Sequence, residues 1–307
     1  MTDIASVSLE RPIAELADDL SRSFAEYGFA IVRDHGIPKE LIASAEEKSR
    51  AFFALPEDVK MQYHLKGQGG ARGYTPFGIE RAKDAQVHDL KEFWHVGRSL
   101  PHGHPLESMM QPNVWPHEVI GFRETFETLY AAFEQTGLRI LSAIALHLDL
   151  PEHFFDPTVE DGNSVMRLLH YPPVPHEAEG RIRAAAHEDI NTITLLLGAE
   201  EAGLELKTKD GRWIPVVSRP GELVINIGDM LQRLTNGVLR STSHRVVNPA
   251  PDRASHARYS MPFFLHFRPD FVIEALPGTV PAGEEPKWPP ISSHEYLQER
   301  LREIKLK

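Results

Sequence analysis

Past about residue 163 the chain becomes a series of short strand-like runs separated by turn signals, spaced roughly eight to twelve residues apart. They are Val165–Tyr171, Ile193–Leu197, Leu204–Lys207, Trp213–Val217, Glu222–Ile227, His244–Asn248 and Tyr259–Phe267. This spacing predicts an antiparallel sandwich or barrel, and it occupies too much of the chain to be an accessory. Helical patterns come first. Leu16, Leu20, Phe24 and Tyr27 recur at helical spacing within Ala14–Tyr27, and Gly28 ends the run. Phe29–Val32 reads as a buried strand, His35–Pro38 as a turn, and Lys39–Phe53 as a second helix. Residues 64–115 are irregular apart from a strand at Glu92–Val96.

Pro116 suits the first position of a long helix reaching about Leu148, with Val119, Ile120, Phe126, Tyr130, Phe133, Ile140, Leu141 and Ile144 in its core stripe. A last helix is expected from Ser293 to about Lys305, with Leu297, Leu301 and Ile304 on one face. The predicted class is therefore α+β with a mainly β core. Its parts are an N-terminal region (1–115), a support helix (116–160), the β core (161–270) and a C-terminal segment (271–307), together one structural domain.

There are 16 histidines and no cysteine. Disulfides, thiolate zinc sites, iron–sulfur clusters and cysteine nucleophiles are excluded, so any metal must sit on imidazole and carboxylate. The formal charge of −11 argues against nucleic acid or an anionic membrane as partner. No apolar run approaches the roughly 20 residues of a membrane span, and the N-terminal residues do not resemble a signal peptide. A cytoplasmic protein acting on a small molecule is expected, with its oligomeric state left open.

Two segments have the form His-x-Asp, His147–Asp149 and His187–Asp189. On a helix, residues two apart point about 200° away from each other, whereas in extended backbone they share a face. His147 and Asp149 close the long helix and are read as a polar helix end. His187 and Asp189 precede the strand Ile193–Leu197, and His244 opens another strand 55 residues later. Two histidines and one carboxylate make a facial triad that leaves open positions, as in non-haem Fe(II) oxygenases. A buried polar network without metal is the competing reading. His102 and His104 belong to a Pro/Gly-flanked loop with no nearby carboxylate signal and are read as solvated. His170 and His266 are read as satisfied core histidines, and Phe264 as core.

Arg258 and Ser260 share a strand face fourteen residues after His244. A guanidinium with a neighbouring hydroxyl is an anion clamp; the alternative is an arginine at a strand edge facing water.

Taken in order, His187-Glu188-Asp189, His244 and Arg258-Tyr259-Ser260 resemble the HxD…H…RxS pattern of the isopenicillin N synthase-like family of Fe(II)/2-oxoglutarate-dependent oxygenases. His35-Gly36-Ile37, Tyr171-Pro172-Pro173, Asn226-Ile227-Gly228-Asp229 and Met261-Pro262-Phe263-Phe264 agree with it. The resemblance implies a double-stranded β-helix, or jelly roll, flanked by N-terminal, central and C-terminal helices. It implies Fe(II) on His187, Asp189 and His244. It also implies 2-oxoglutarate on Arg258 and Ser260, with the Tyr171 hydroxyl as a third contact and Asn226 near the same site. Arg167 matches an arginine that touches substrate or co-substrate in some relatives. The implied reaction uses O2 to hydroxylate or desaturate a small organic substrate, releasing succinate and CO2. Glu188 stands where many such enzymes carry a small polar residue, as in isopenicillin N synthase. That leaves an oxidase working without 2-oxoglutarate, ethylene formation from 2-oxoglutarate, and a non-catalytic ligand sensor as alternatives.

Overall fold

Apolar residues at helical spacing dictate where the first helix lies, and Gly28, in the left-handed region at φ 69°, ends it by donating its N–H to the Phe24 carbonyl. The strand after it begins at once. The computed structural model describes residues 4–67, 70–79, 91–173, 183–197, 203–248 and 256–303. In chain order the elements are β1 (Ser6–Ser8), α1 (Ile13–Tyr27), β2 (Phe29–Arg33), α2 (Lys39–Phe53), α3 (Glu57–Met61), β3 (Gly73–Thr75), β4 (Glu92–Gly97), α4 (Phe122–His147) and α5 (Asp156–Val159). They continue with β5 (Val165–Tyr171), β6 (Ala184–His187), β7 (Ile193–Leu197), β8 (Leu204–Lys207), β9 (Trp213–Pro215), β10 (Leu223–Ile227), α6 (Asp229–Leu234), β11 (His244–Val246) and β12 (Arg258–Leu265). The short strands β13 (Val272–Ile273) and β14 (Ile291–Ser292) and the helix α7 (Ser293–Glu303) close the described chain. The expected continuation of α7 through Ile304 and Lys305 lies outside the described residues.

Eight strands form one sheet in the order β1-β2-β10-β7-β12-β5-β4-β3, and four form a second in the order β6-β11-β8-β9. From β5 to β12 the chain keeps crossing between the two. Strands β5, β7, β10 and β12 belong to the large sheet, and β6, β8, β9 and β11 to the small one. Every pairing within this core is antiparallel. This alternation is the double-stranded β-helix.

The large sheet has two different faces because strand side chains alternate. On β12, Met261, Phe263 and Leu265 point into the main apolar core, which they share with α1, α2 and α4. Phe133 of α4 stacks on Phe263 with centroids 5.3 Å apart; emptying such a position costs about 3–5 kcal/mol. Arg258, Ser260, Pro262 and Phe264 alternate with them and face the second sheet across a cavity. A smaller apolar cluster, including Phe29, Ile31 and Val224 from one sheet and Leu204, Leu206 and Val246 from the other, seals one side of the sandwich.

Two expectations need correction. The long helix starts at Phe122, preceded by Gly121 at φ 74°, and not at Pro116. Ile120 belongs to the turn before it and is 92% exposed, outside the core stripe. A proline tolerates a helix start but does not require one, and the left-handed Gly121 sets the boundary here. Behind β4 and β5 lies a buried polar network that sequence periodicity does not reveal. Glu92 accepts hydrogen bonds from Lys60 Nζ (2.8 Å), the His170 ring (2.7 Å) and the Tyr74 hydroxyl. His170 is also stacked against Phe53 and Tyr259, so it is satisfied, as expected.

Candidate active site

His187 ends β6 and His244 begins β11, and the two are direct cross-strand partners. Asp189 follows on the crossing towards β7. The donor atoms of the three residues all lie within 4.8 Å of one another. Asp189 Oδ1 is 3.9 Å from His187 Nε2 and 3.8 Å from His244 Nε2. Two donors bonded at roughly 2.0–2.2 Å to one cation stand at most ~4.4 Å apart, so the set fits a metal ion.

The surrounding bonds aim these donors. The Nδ1–H of His187 donates to the Ala185 carbonyl at 2.8 Å, and that of His244 to the Thr242 carbonyl at 3.1 Å. A carbonyl can only accept, so both rings present the Nε2 lone pair to the site. On Asp189, Oδ2 is occupied by the Thr194 hydroxyl at 2.6 Å and by Asn226 Nδ2 at 2.8 Å, which turns Oδ1 towards the histidines. Burial works to raise the Asp189 carboxyl. His244, His187 and these two hydrogen bonds outweigh it and hold the group below the usual aspartate range. Burial, helped by the neighbouring His244, pushes the His187 imidazole down to about 4. At neutral pH the set is therefore a carboxylate and a neutral His187 poised for a cation.

The cavity holding these residues has a volume of about 990 Å³. Arg258, Ser260, Tyr171 and Asn226 line it together with the His–Asp–His group. Arg258 is 3% exposed, which rules out a water-facing strand edge. It sits opposite Tyr171 in register, with its guanidinium carbon 5.2 Å from the tyrosine ring centre. Arg167 also faces the cavity, between the rings of Phe93 and Phe264. Its Nε–H donates to His95 Nε2 at 2.6 Å.

His147 and Asp149 are exposed at the end of α4, as expected for a polar helix end. His102 is solvated, but the loop has carboxylate partners after all: Glu107 lies 3.2 Å from His102, and Asp161 lies 3.3 Å from His104. His266 and Phe264 are corrected too. Both line the cavity, and His266 Nδ1 is buried without a hydrogen-bond partner among the described residues. The period of β12 continues through Phe264 to His266, and that signal could have placed both. Thr194, Arg72 and His95 were missed. Thr194 shares the inward period of β7, whereas Arg72 follows a glycine-rich loop with no periodic signal.

Residues 2–118 match the family profile of the non-haem dioxygenase N-terminal region named for morphine synthesis, and residues 162–267 match that of the 2OG-Fe(II) oxygenase superfamily. A 2-oxoglutarate-Fe(II) type oxidoreductase, hxnY of Emericella nidulans, is 35% identical over 93% of this chain and 83% of its own length. The chain belongs to the 2OG-Fe(II) oxygenase superfamily. A crystal structure from Caulobacter crescentus assigned to the same family is 52% identical, covers 99% of this chain and 100% of its own, and superposes with a TM-score of 0.92. A full-length Neurospora crassa protein, solved in complex with alpha-KG, is 29% identical with a TM-score of 0.87, covering 97% of this chain and 95% of its own. This 2OG-Fe(II) oxygenase is thus a 2-oxoglutarate-dependent dioxygenase with a jelly-roll core, using Fe(II), 2-oxoglutarate and O2. Among its described residues no helix is long and apolar enough to cross a membrane.

Proposed function

We propose that His187, Asp189 and His244 hold the Fe(II), and that Arg258 and Ser260 hold the distal carboxylate of 2-oxoglutarate, with the Tyr171 hydroxyl as a third contact. The carrying observation is that two Nε2 lone pairs and one carboxylate oxygen converge in the cavity that buries Arg258 and Ser260. Bound iron supplies the O2-driven oxidative decarboxylation of 2-oxoglutarate to succinate and CO2, coupled to hydroxylation or desaturation of a small organic substrate. The chain supplies orientation and a water-poor enclosure. Arg258 neutralises the co-substrate's far carboxylate and fixes its depth, and the Tyr171 ring shields that pair from water. Asn226, expected at the co-substrate, donates to Asp189 and acts by orienting that ligand. Arg167 lies on the substrate side. The main core links α1, α2 and α4 to both halves of the large sheet, which supports treating residues 1–115, 116–160, 161–270 and 271–307 as parts of one domain.

Anaerobic calorimetry of the Fe(II)-loaded protein with 2-oxoglutarate tests this reading. Binding of 2-oxoglutarate is expected in the wild type and not in Arg258→Gln, and metal content is expected to fall in His187→Ala. Succinate should form once O2 is admitted. Full metal content in His187→Ala together with no succinate would refute the assignment.

A further inference from the structure

The cavity extends into a recess lined by Arg72, His95, Asn163, Arg167 and His266. Arg72 is 2% exposed and, among the described residues, is paired with no carboxylate. Its guanidinium donates to the Ala71 carbonyl at 2.7 Å and to Asn163 Oδ1 at 3.5 Å, while its Nε has no partner among the described residues. A buried guanidinium without a counter-ion is costly, yet the fold makes room for this one. A Cβ on Gly97 of β4 would stand 1.9 Å from the Arg72 guanidinium carbon, so glycine is what lets that group lie against the strand. Arg167 is aimed by a relay, because the Gly70 carbonyl accepts from His95 Nδ1 and His95 Nε2 accepts from Arg167 Nε. His266, 6% exposed, brings an unpartnered Nδ1. Arg72 and His266 line the same cavity as His187 and Asp189. Among the described residues, the acidic ones lining the cavity are Glu188 and Asp189, both on the metal-ligand segment.

We propose that this recess takes a carboxylate of the primary substrate, making the substrate a small organic acid whose acid group docks on Arg72 and Arg167. A guanidinium offers a carboxylate two parallel hydrogen bonds, and the bound anion supplies the counter-charge that Arg72 lacks. The neighbouring carbons of the acid then lie between the recess and the metal ligands, against Phe264 and Met110. The proposal rests on the Fe(II)/2-oxoglutarate reading above, with Arg258 occupied by the co-substrate.

The test titrates the anaerobic Fe(II) protein first with 2-oxoglutarate and then, at saturating 2-oxoglutarate, with phenylacetate and hexanoate against phenylacetamide and hexanamide. Each acid is expected to bind roughly ten- to a hundredfold more tightly than its amide. Arg72→Gln should abolish that preference and Gly97→Ala should weaken it, with 2-oxoglutarate affinity unchanged in both. The metal-free Arg72→Met protein should melt above the wild type, because an uncompensated buried cation has gone. Failure of 2-oxoglutarate to bind would remove the underlying reading and the proposal with it. With 2-oxoglutarate bound, any one of three results would overturn the recess alone. These are equal affinity for acids and amides, no binding of the acids at millimolar concentration, and an acid preference that survives Arg72→Gln. A lower melting temperature for Arg72→Met would make the guanidinium a structural strut and overturn it as well.

Discussion

Thr194→Val isolates what holds the Asp189 carboxylate. Valine keeps the branched shape, so no cavity opens, and the substitution removes a hydroxyl that donates to Asp189 and accepts from Asn191 Nδ2 at 3.2 Å. That donor lies 2.6 Å from Asp189 Oδ2, leaving only Asn226 at 2.8 Å on that oxygen. A hydrogen bond to a charged group contributes about 1.5–3 kcal/mol. Burial already opposes ionisation of Asp189, so the loss falls on the charged, metal-binding form. At about 1.4 kcal/mol per tenfold, metal affinity should drop by one to two orders of magnitude, the usual range for partners of metal ligands. Competition between the protein and a chromophoric chelator for Co(II), a less air-sensitive stand-in for Fe(II), reads this directly. Thr194→Ser keeps the hydroxyl and should stay near wild type. Unchanged affinity in the valine variant, or an equal fall in the serine variant, would refute the idea that this hydroxyl orients the ligand.

Glu92→Gln should destabilise the fold by about 3–5 kcal/mol in urea unfolding, because Lys60 would keep its buried charge without a counter-ion. Burial works to raise the Glu92 carboxyl, but His170, Lys60 and Tyr74 outweigh it and hold it below the ordinary glutamate range. Its contribution is therefore present above the unfolded value near ~4.3 and fades as pH falls through the lower folded value, so the gap between wild type and variant should narrow in acid. Arg258→Lys should raise the 2-oxoglutarate dissociation constant about tenfold or more by calorimetry, since a point charge cannot reproduce a bidentate fork. Gly28→Ala should cost more than about 1 kcal/mol, because the residue sits at φ 69° and a Cβ would stand 2.1 Å from Thr242 Oγ1. The Thr242 carbonyl steers His244, so the same variant should also lose metal affinity in the chelator assay.

Much of this was legible because strands impose a period of two. Arg258 with Ser260 on one face of β12 follows from alternation alone, Asp189 lies just past the end of β6, and β5, β7 and β8 have the bounds that alternation predicts. What escaped were features that depend on close approach across the chain. Arg72 is placed by Gly97, 25 residues away and without a side chain to advertise the contact. The Glu92 network joins α3, β3, β4 and β5 through side chains that each look like ordinary surface polarity. Strand β6, Ala184-Ala185-Ala186-His187, was invisible because alanine favours no strand; its pairing with β11 creates it. The helix start at Phe122 was misjudged because Pro116 is compatible with a helix it does not begin.

The His187–His244 pairing across β6 and β11 also bears on when the protein can acquire its metal. The His-x-Asp segment alone supplies two donors, and the third arrives 55 residues beyond Asp189, after the chain has crossed between the sheets several times. A growing chain, or one that has lost the β6–β11 contact, has no complete site. With the proposed ligand set, metal would bind the closed sandwich and very little else, and binding energy would become folding energy. At a free metal concentration a hundred times the dissociation constant, the folded state gains about 2.7 kcal/mol. On the proposed ligand set, iron supply and resistance to unfolding would be two readings of one equilibrium.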